Sequence, residues 1–521
     1  MRQKIWVFTL IGGLFVGQTF AADRTNVPLK SWGGFSVNRS WVYDALEKVV
    51  LAGLVTDPVH LNTKPLSRAE AARIVAHAVR QIGWDQYGDY NHRGYLEEIL
   101  YQLVEEFGPE LAEMGVKTPL NRNASTGFLG FKPVTNIEFG LDLTTKSRRL
   151  ANNLGRRLDK GVNRTSTLEG RMHAGDFFSL YYQPELSWGE ARQGRLQSGY
   201  AKFTLWNVEL EGGRDSLWWG PGFRGSMSIS NNTRPLDQIR LSSAEPFHLP
   251  WLLSYLGSWK LVSFVAQLEQ GRDIPNAKLS GTRISLAPSR YVELGFNRMF
   301  QFGGRGRGIS PGQFVKVLAF DQGSDDPASP EQVNNVMSFD ATLRIPDVQK
   351  YILIARDMTL YGDFGWDDSL FGVIVPDRPG GIVGTYLTGF FGDPKLDLRI
   401  EYAQSSEIMF NHFIYTSGYT FRGSVLSHFI GTKGNELYAR LTRWMSPDLL
   451  LGFQLSQAAI GSPTVDLREK RASLGLDLSY RFSSRSSVSM GYDFSHVKDR
   501  GFVAGKSGND NLFQIQFNRK Y

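Results

Sequence analysis

Hydrophobic and polar positions alternate strictly along the last hundred residues. Leu474, Leu476, Leu478, Tyr480 and Phe482 interleave with Ser473, Gly475, Asp477, Ser479 and Arg481. That is the period of a strand with one apolar and one polar face. After the short turn Ser483–Ser487, the apolar set Val488, Met490, Tyr492 and Phe494 alternates with Ser489, Gly491, Asp493 and Ser495. A longer polar loop, 497–511, precedes a last strand with Phe513, Ile515, Phe517 and Tyr521 on one face. Arg519 shares that face near the rim, where a long cation can snorkel. Short turns and long loops alternate too, as in transmembrane barrels rather than soluble sandwiches. With the C-terminus periplasmic, 497–511, 457–471 and 411–434 are extracellular, and 483–487 and 445–448 periplasmic. From Thr126 onward there are nearly 400 residues. At about 10 residues per strand plus loops, the expectation is an all-β transmembrane barrel of roughly 16–18 antiparallel strands over residues 120–521.

The period changes upstream. Within residues 22–119, Val42, Ala45, Leu46, Val49 and Val50 share one helical face, with Ser40 to cap it and Gly53 to close it. Ser67-x-x-Glu70 is a capping box ahead of Ala71, Ile74, Val75, Ala78, Val79 and Ile82. A third amphipathic segment carries Leu96, Ile99, Leu100, Leu103 and Phe107, and ends before Gly108-Pro109. Residues 1–21 read as a signal peptide. Arg2 and Lys4 precede the apolar run Ile5–Val16, which is too short to span a bilayer, and Ala21 supplies the small residue before the cut.

Composition narrows the chemistry. There are 55 glycines, 13% aromatics and a mean hydropathy of -0.26. These exclude a helical membrane protein and suit a barrel. Cysteine is absent, which excludes disulfides, thiolate zinc sites and cysteine nucleophiles. A net charge of +7 on an exported chain favours acidic glycans or lipopolysaccharide phosphates over nucleic acid. The segment Lys146–Arg171 holds eight Lys/Arg against Asp159 and Glu169, as a glycan-engaging surface or a solvated loop. Asp363, Asp367 and Asp368 read as partners for luminal arginines, with a bound cation as the alternative. No serine-hydrolase elbow, metalloprotease helix or phosphate loop occurs, so the reading is non-enzymatic, with no cofactor. His412 and His428 lack a third ligand at metal spacing and read as loop packing.

One stretch carries more information than the rest: Arg214–Pro235, RDSLWWGPGFRGSMSISNNTRP. It resembles the signature block of the capsule-assembly Wzi family. TRISLAPSRYVELGFNRMFQFGGRGR (282–307), Ser338-Phe339-Asp340 through Arg344-Ile345-Pro346, LYGDFGWDD (360–368) and the spaced set from His412 to Gly431 extend the resemblance in order. It implies an outer-membrane barrel that acts as a lectin and helps attach or organise capsular or other surface polysaccharide. Sugar binding needs aromatic faces and planar polar groups. The candidates of those types are Arg214, Asp215, Trp218, Trp219, Arg224, Asn231, Asn232 and Arg234, with His412, Tyr415, Tyr419 and Arg422 from the later block. Trp218 and Trp219 also fit an aromatic girdle at the rim. A second resemblance, to one S-layer homology motif, rests on Trp41, Gly53 and Ser67-Arg68-Ala69-Glu70. It implies a peptidoglycan contact through Trp41, Ser67, Arg68 and Glu70, although the best-known forms use three copies. The alternative for these helices is a plug at the periplasmic mouth. The alternative for the whole chain is a porin-type channel, or a barrel housing a partner protein. Remaining partners are outer-membrane lipids and, through terminal Tyr521, the barrel assembly machinery.

Overall fold

The computed structural model describes residues 23–29, 41–83, 95–118, 120–121, 127–319, 326, 328–370, 375–377, 379–462 and 465–521. The proposed signal peptide and Ser40 lie outside them. Eighteen antiparallel strands close into one barrel. The first six are β1 (Leu129–Thr144), β2 (Gly161–Ala174), β3 (Phe178–Trp188), β4 (Arg192–Leu205), β5 (Val208–Asp215) and β6 (Leu236–Ser243). The next six are β7 (Ser258–Gln267), β8 (Lys278–Ser289), β9 (Val292–Phe302), β10 (Asn334–Ile345), β11 (Asp357–Trp366) and β12 (Gly380–Thr388). The last six are β13 (Leu396–Gln404), β14 (Asn435–Ser446), β15 (Leu449–Ile460), β16 (Glu469–Ser483), β17 (Ser486–Lys498) and β18 (Gly508–Lys520).

The alternation explains the wall. Leu474, Leu476, Tyr480, Phe482, Met490 and Tyr492 face outward and stay exposed, while Ser487, Ser489, Asp493 and Gln514 are buried inside. Closure keeps the same phase. β1 pairs with β18 through Phe139↔Phe517, Leu141↔Ile515 and Leu143↔Phe513. A one-residue slip would turn every one of these apolar side chains into the lumen. The connections after β14 and β16 lie at the end bearing the C-terminus, here the inner end. Those after β13, β15 and β17 lie at the outer end, as the alternating loop lengths predict.

The lumen is filled from both ends. From the inner end come α1 (Trp41–Leu51), α2 (Arg68–Gln81), α3 (Tyr95–Glu106) and α4 (Gly108–Glu113). Gly53 and Gly83, at φ +78° and +74°, lie just beyond the ends of α1 and α2. The turn α4, which starts at Gly108-Pro109, is an element the hydrophobic period did not announce. Leu46, Val49, Val75, Leu103 and Phe107 form a fully buried core. Ion pairs dock the helices on the wall: Lys48 to Asp397 at 2.7 Å, Glu70 to Lys260 at 2.6 Å and Glu47 to Arg399 at 2.9 Å. Between the helices and the walls of β1, β2 and β16–β18 remains a cavity of about 610 Å³.

Contacts within the chain also engage the four residues of the peptidoglycan reading. Ser67 Oγ caps α2 by accepting from Glu70 N at 3.1 Å. The other arm of the capping box is missing because the Glu70 carboxylate turns to Lys260. Arg68 is buried against Phe107 and pairs with Glu110 at 2.5 Å and Glu106 at 2.7 Å. The Lys520 ammonium covers the Trp41 ring at 5.3 Å. Ser67, Arg68 and Glu70 are buried, so none of the three offers a face to an outside polymer.

In the connection between β9 and β10 the described residues 303–319 fold outward instead. Their helix α5 (Pro311–Leu318) opens on a full capping box between Ser310 and Gln313 and covers Phe300 and Phe302 on the outer wall.

Candidate functional site

Beyond β5 the chain turns into the lumen. Gly213 (φ +143°) and Gly220 (φ +124°) occupy backbone conformations that L side chains avoid. Trp218 and Trp219 pair with Lys64 and Thr63 of the helical module in a two-residue antiparallel ladder. Both indoles are fully buried. Trp218 belongs to the helical core, and Trp219 stands edge-on to Phe264 at 5.5 Å. The girdle reading is therefore wrong: contacts with the module draw these rings inward, and no ring face is open to a sugar.

The rest of the block is locked in the same way. Phe223 N and Arg224 N donate to Glu401 at 2.6 and 2.8 Å. The Arg224 guanidinium pairs with Glu436 at 2.9 Å and lies 5.0 Å from the Phe429 ring centre and 4.7 Å from that of Tyr438. Asn231 Nδ2 donates to Leu29 O at 3.1 Å, and Asn232 Nδ2 to Val425 O at 2.9 Å. Asp215 accepts from Asn26 Nδ2 at 2.7 Å. Arg214 points the other way. It shares the outward parity of Val208 and Leu210 and pairs with exposed Asp237 at 2.7 Å on the outer wall.

The 405–434 loop also packs rather than presents. Tyr419 donates its hydroxyl to Ser228 O at 2.9 Å, and Tyr415 to Gly303 O at 3.3 Å. His412 Nδ1 accepts from Ile414 N at 3.1 Å. Burial pushes His412 down to about 4, with the nearby charge of Arg307 adding to the effect. His428 is fully buried 4.0 Å from Glu436. Burial pushes it down to about 4 as well, against the pull of Glu436, so the ring is neutral at neutral pH. Among the described residues, no group of three His, Asp or Glu is placed to hold a metal ion. Asp363 accepts from Met227 N and Asp367 from Phe410 N, both at 2.8 Å, so both anchor inserted loops.

What remains at the outer surface includes a basic cluster. The loop 145–160 dips into the mouth, where Leu154 N donates to Asn231 O at 2.9 Å, and three loops close over the lumen together. On top of them Arg149 Nη1 donates to Arg422 O at 3.1 Å and Ser424 Oγ at 2.7 Å. Arg157 lies opposite Arg149 in a two-residue ladder. Arg422 is exposed, with its guanidinium 5.4 Å from the Phe421 ring centre. Arg234 is half-buried. Burial, then the charges of Arg195 and Arg422, hold its guanidinium below the usual range. Luminal arginines such as Arg224, Arg283 and Arg440 all have carboxylate partners. Among the described residues, Arg149, Arg157, Arg234 and Arg422 have none within 4 Å. Such a cluster of planar donors suits bidentate contact with carboxylates. Sequence reasoning picked out Arg234 and Arg422. It flagged the segment holding Arg149 and Arg157 only as a whole, through its unbalanced charge.

Comparison with known proteins agrees with the fold. Residues 134–512 match the family model described as capsule assembly protein Wzi. A Klebsiella pneumoniae protein, described as an uncharacterized 55.8 kDa protein in the cps region, is 26% identical over 215 residues, which is 40% of this chain. That alignment spans 39% of the relative's own length. A solved structure of Wzi, an outer-membrane protein involved in group 1 capsule assembly in Escherichia coli and described as a carbohydrate-binding β-barrel, superposes with a TM-score of 0.70. Its sequence identity is 18%, covering 94% of this chain and 99% of that one.

Proposed function

The chain belongs to the Wzi family of capsule assembly proteins and is an outer-membrane β-barrel, and from that premise we propose that it binds acidic surface polysaccharide on its closed outer face, as a lectin without catalysis. The observation that carries this reading is the cluster Arg149, Arg157, Arg234 and Arg422. The lumen pairs its arginines internally, and this face leaves four cations for an external anion. Exposed ion pairs contribute little singly, about 0.2–1 kcal/mol each, so several along one polymer are needed. The test is binding of polygalacturonate, with neutral dextran as the control. The combined variant R149Q/R157Q/R234Q/R422Q should bind polygalacturonate at least about tenfold more weakly. Rising salt should weaken the unaltered protein. Equal binding of dextran, or unchanged binding by the variant, would sink the reading.

The helical module, assigned with its linkers to residues 22–119, acts in this proposal as a plug rather than a wall tether. The buried state of Ser67, Arg68 and Glu70 supports that choice. Failure of the intact protein to sediment with peptidoglycan sacculi is the expected result. The porin-type channel, or a barrel housing a partner protein, is the weaker reading, because the chain's own helices and loops fill the lumen. Residues 1–21 serve as the export signal in this scheme, and exposed Tyr521, just past the last strand, as the mark for the barrel assembly machinery.

A further inference from the structure

Along one arc of the periplasmic rim three of four connections carry exposed apolar side chains, the short turn at Arg290 between β8 and β9 being the polar exception. Between β6 and β7 a 3-10 turn spans Trp251–Leu256, with Leu252 80% and Tyr255 85% exposed. Between β10 and β11 lies Tyr351–Ile354, with Leu353 93% exposed. Between β12 and β13, exposed Phe391 donates its N–H to Ile354 O at 2.8 Å, which ties two neighbouring loops into one surface. Just above, exposed Leu261, Leu343 and Leu360 belong to the outward wall, so the patch continues the belt that the bilayer covers. On the opposite arc the turns are Pro447-Asp448 and Ser484-Arg485, which are polar. The apolar edge thus faces a polar one, with exposed Phe177 and Trp206 on the β2–β3 and β4–β5 turns extending it along the rim.

Scattered exposed leucines need no explanation, but a contiguous apolar patch of this kind does. Tryptophan and tyrosine among leucines suit the boundary between headgroups and acyl chains. Lys350, exposed beside Tyr351 and 3.5 Å from Asp347, adds a cation to this edge. We propose that the loops Trp251–Leu256, Tyr351–Ile354 and Phe390–Phe391 form a wedge seated in the phospholipid of the inner leaflet. Continuity with the wall favours lipid over a protein partner, since a protein docked there would have to displace lipid from the strands above.

The chain has no cysteine, so one can be placed at will. The full-length variants Leu252→Cys, Leu353→Cys and, as a control on the polar arc, Arg485→Cys are labelled with an environment-sensitive NBD probe. They are then reconstituted in phosphatidylethanolamine/phosphatidylglycerol vesicles, with retained heat-modifiable gel mobility confirming the fold. Labels at 252 and 353 should emit to the blue of the label at 485. They should lose intensity to a nitroxide on the lipid acyl chain and resist aqueous iodide, with the reverse at 485. Iodide quenching without nitroxide quenching at 252 and 353 overturns the wedge. Shielding from both quenchers overturns it too, in favour of a protein contact or self-association.

Discussion

Inside a closed barrel a charged side chain has little water to turn to, so each one is only as stable as its partner. Glu70 and Lys260 show this most plainly, at 2.6 Å and both nearly excluded from solvent. Removing one member strands the other. Lys260→Met should destabilise the docked module by about 3–5 kcal/mol, while Glu70→Gln with Lys260→Met should recover much of that loss. Urea unfolding followed by protease sensitivity of α2 measures both. Equal losses in the single and double variants would show that the pair contributes no coupling. Buried His428 makes a different prediction, on pH. Its folded pKa of about 4 lies below the ordinary 6.5. The opened loop therefore takes up a proton more readily than the closed one as pH falls. The stabilisation is complete above pH 6.5 and is lost progressively down to about 4, a loss of about 3 kcal/mol at most. Protection factors of residues 405–434, exchange rates corrected for the intrinsic pH dependence, should fall across that window, and His428→Gln should flatten the change. Protection factors equal at pH 7 and pH 4.5 in the unaltered chain would refute this.

At the scale of the element, the inserted loop 216–235 depends on glycines for close approach. A Cβ on Gly222 would lie 2.1 Å from Gly225 O, and one on Gly225 would lie 2.4 Å from the His428 ring. Gly222→Ala should therefore loosen the loop, at about 1–3 kcal/mol. Gly212→Ala, on the outer wall of β5 with nothing within 4 Å, should be neutral. Limited proteolysis of the outer loops distinguishes them, and equal resistance in both would contradict the packing. This loop also shows what a sequence conceals. The strands from Asn435 onward are legible because lipid imposes one apolar face on every one of them. Arg214 was readable too, since counting by twos from Val208 puts it outside. The inward course of Trp218 was not. Two tryptophans beside a Gly-Pro-Gly turn have the same composition in a girdle as in a core. What decides between them is a ladder to Thr63–Lys64, more than 150 residues away, and period and composition carry no trace of it. The four-arginine cluster was half legible for a related reason. Charge density marks a segment, but which cations lack a carboxylate depends on loops distant in sequence.

For the whole molecule, the filled lumen predicts little passage. Purified protein in planar bilayers should show no large open conductance, whereas a chain lacking residues 41–113 should conduct more. Wide steady pores from the intact chain would restore the channel reading. The two fillings also meet. Besides the Trp218–Trp219 ladder, Gly220 N donates to Asn62 O at 2.9 Å, and Asn231 Nδ2 reaches Leu29 O. In the lectin function proposed above, a polymer held on the outer loops would load them with the drag of moving fluid. The ladder and its flanking bonds pass the load to the helical module. From there the ion pairs to β7 and β13 pass it to the wall. Tension on the glycan is thus spread across the inside of the barrel, and the loops are braced from below like a lid bolted to its frame.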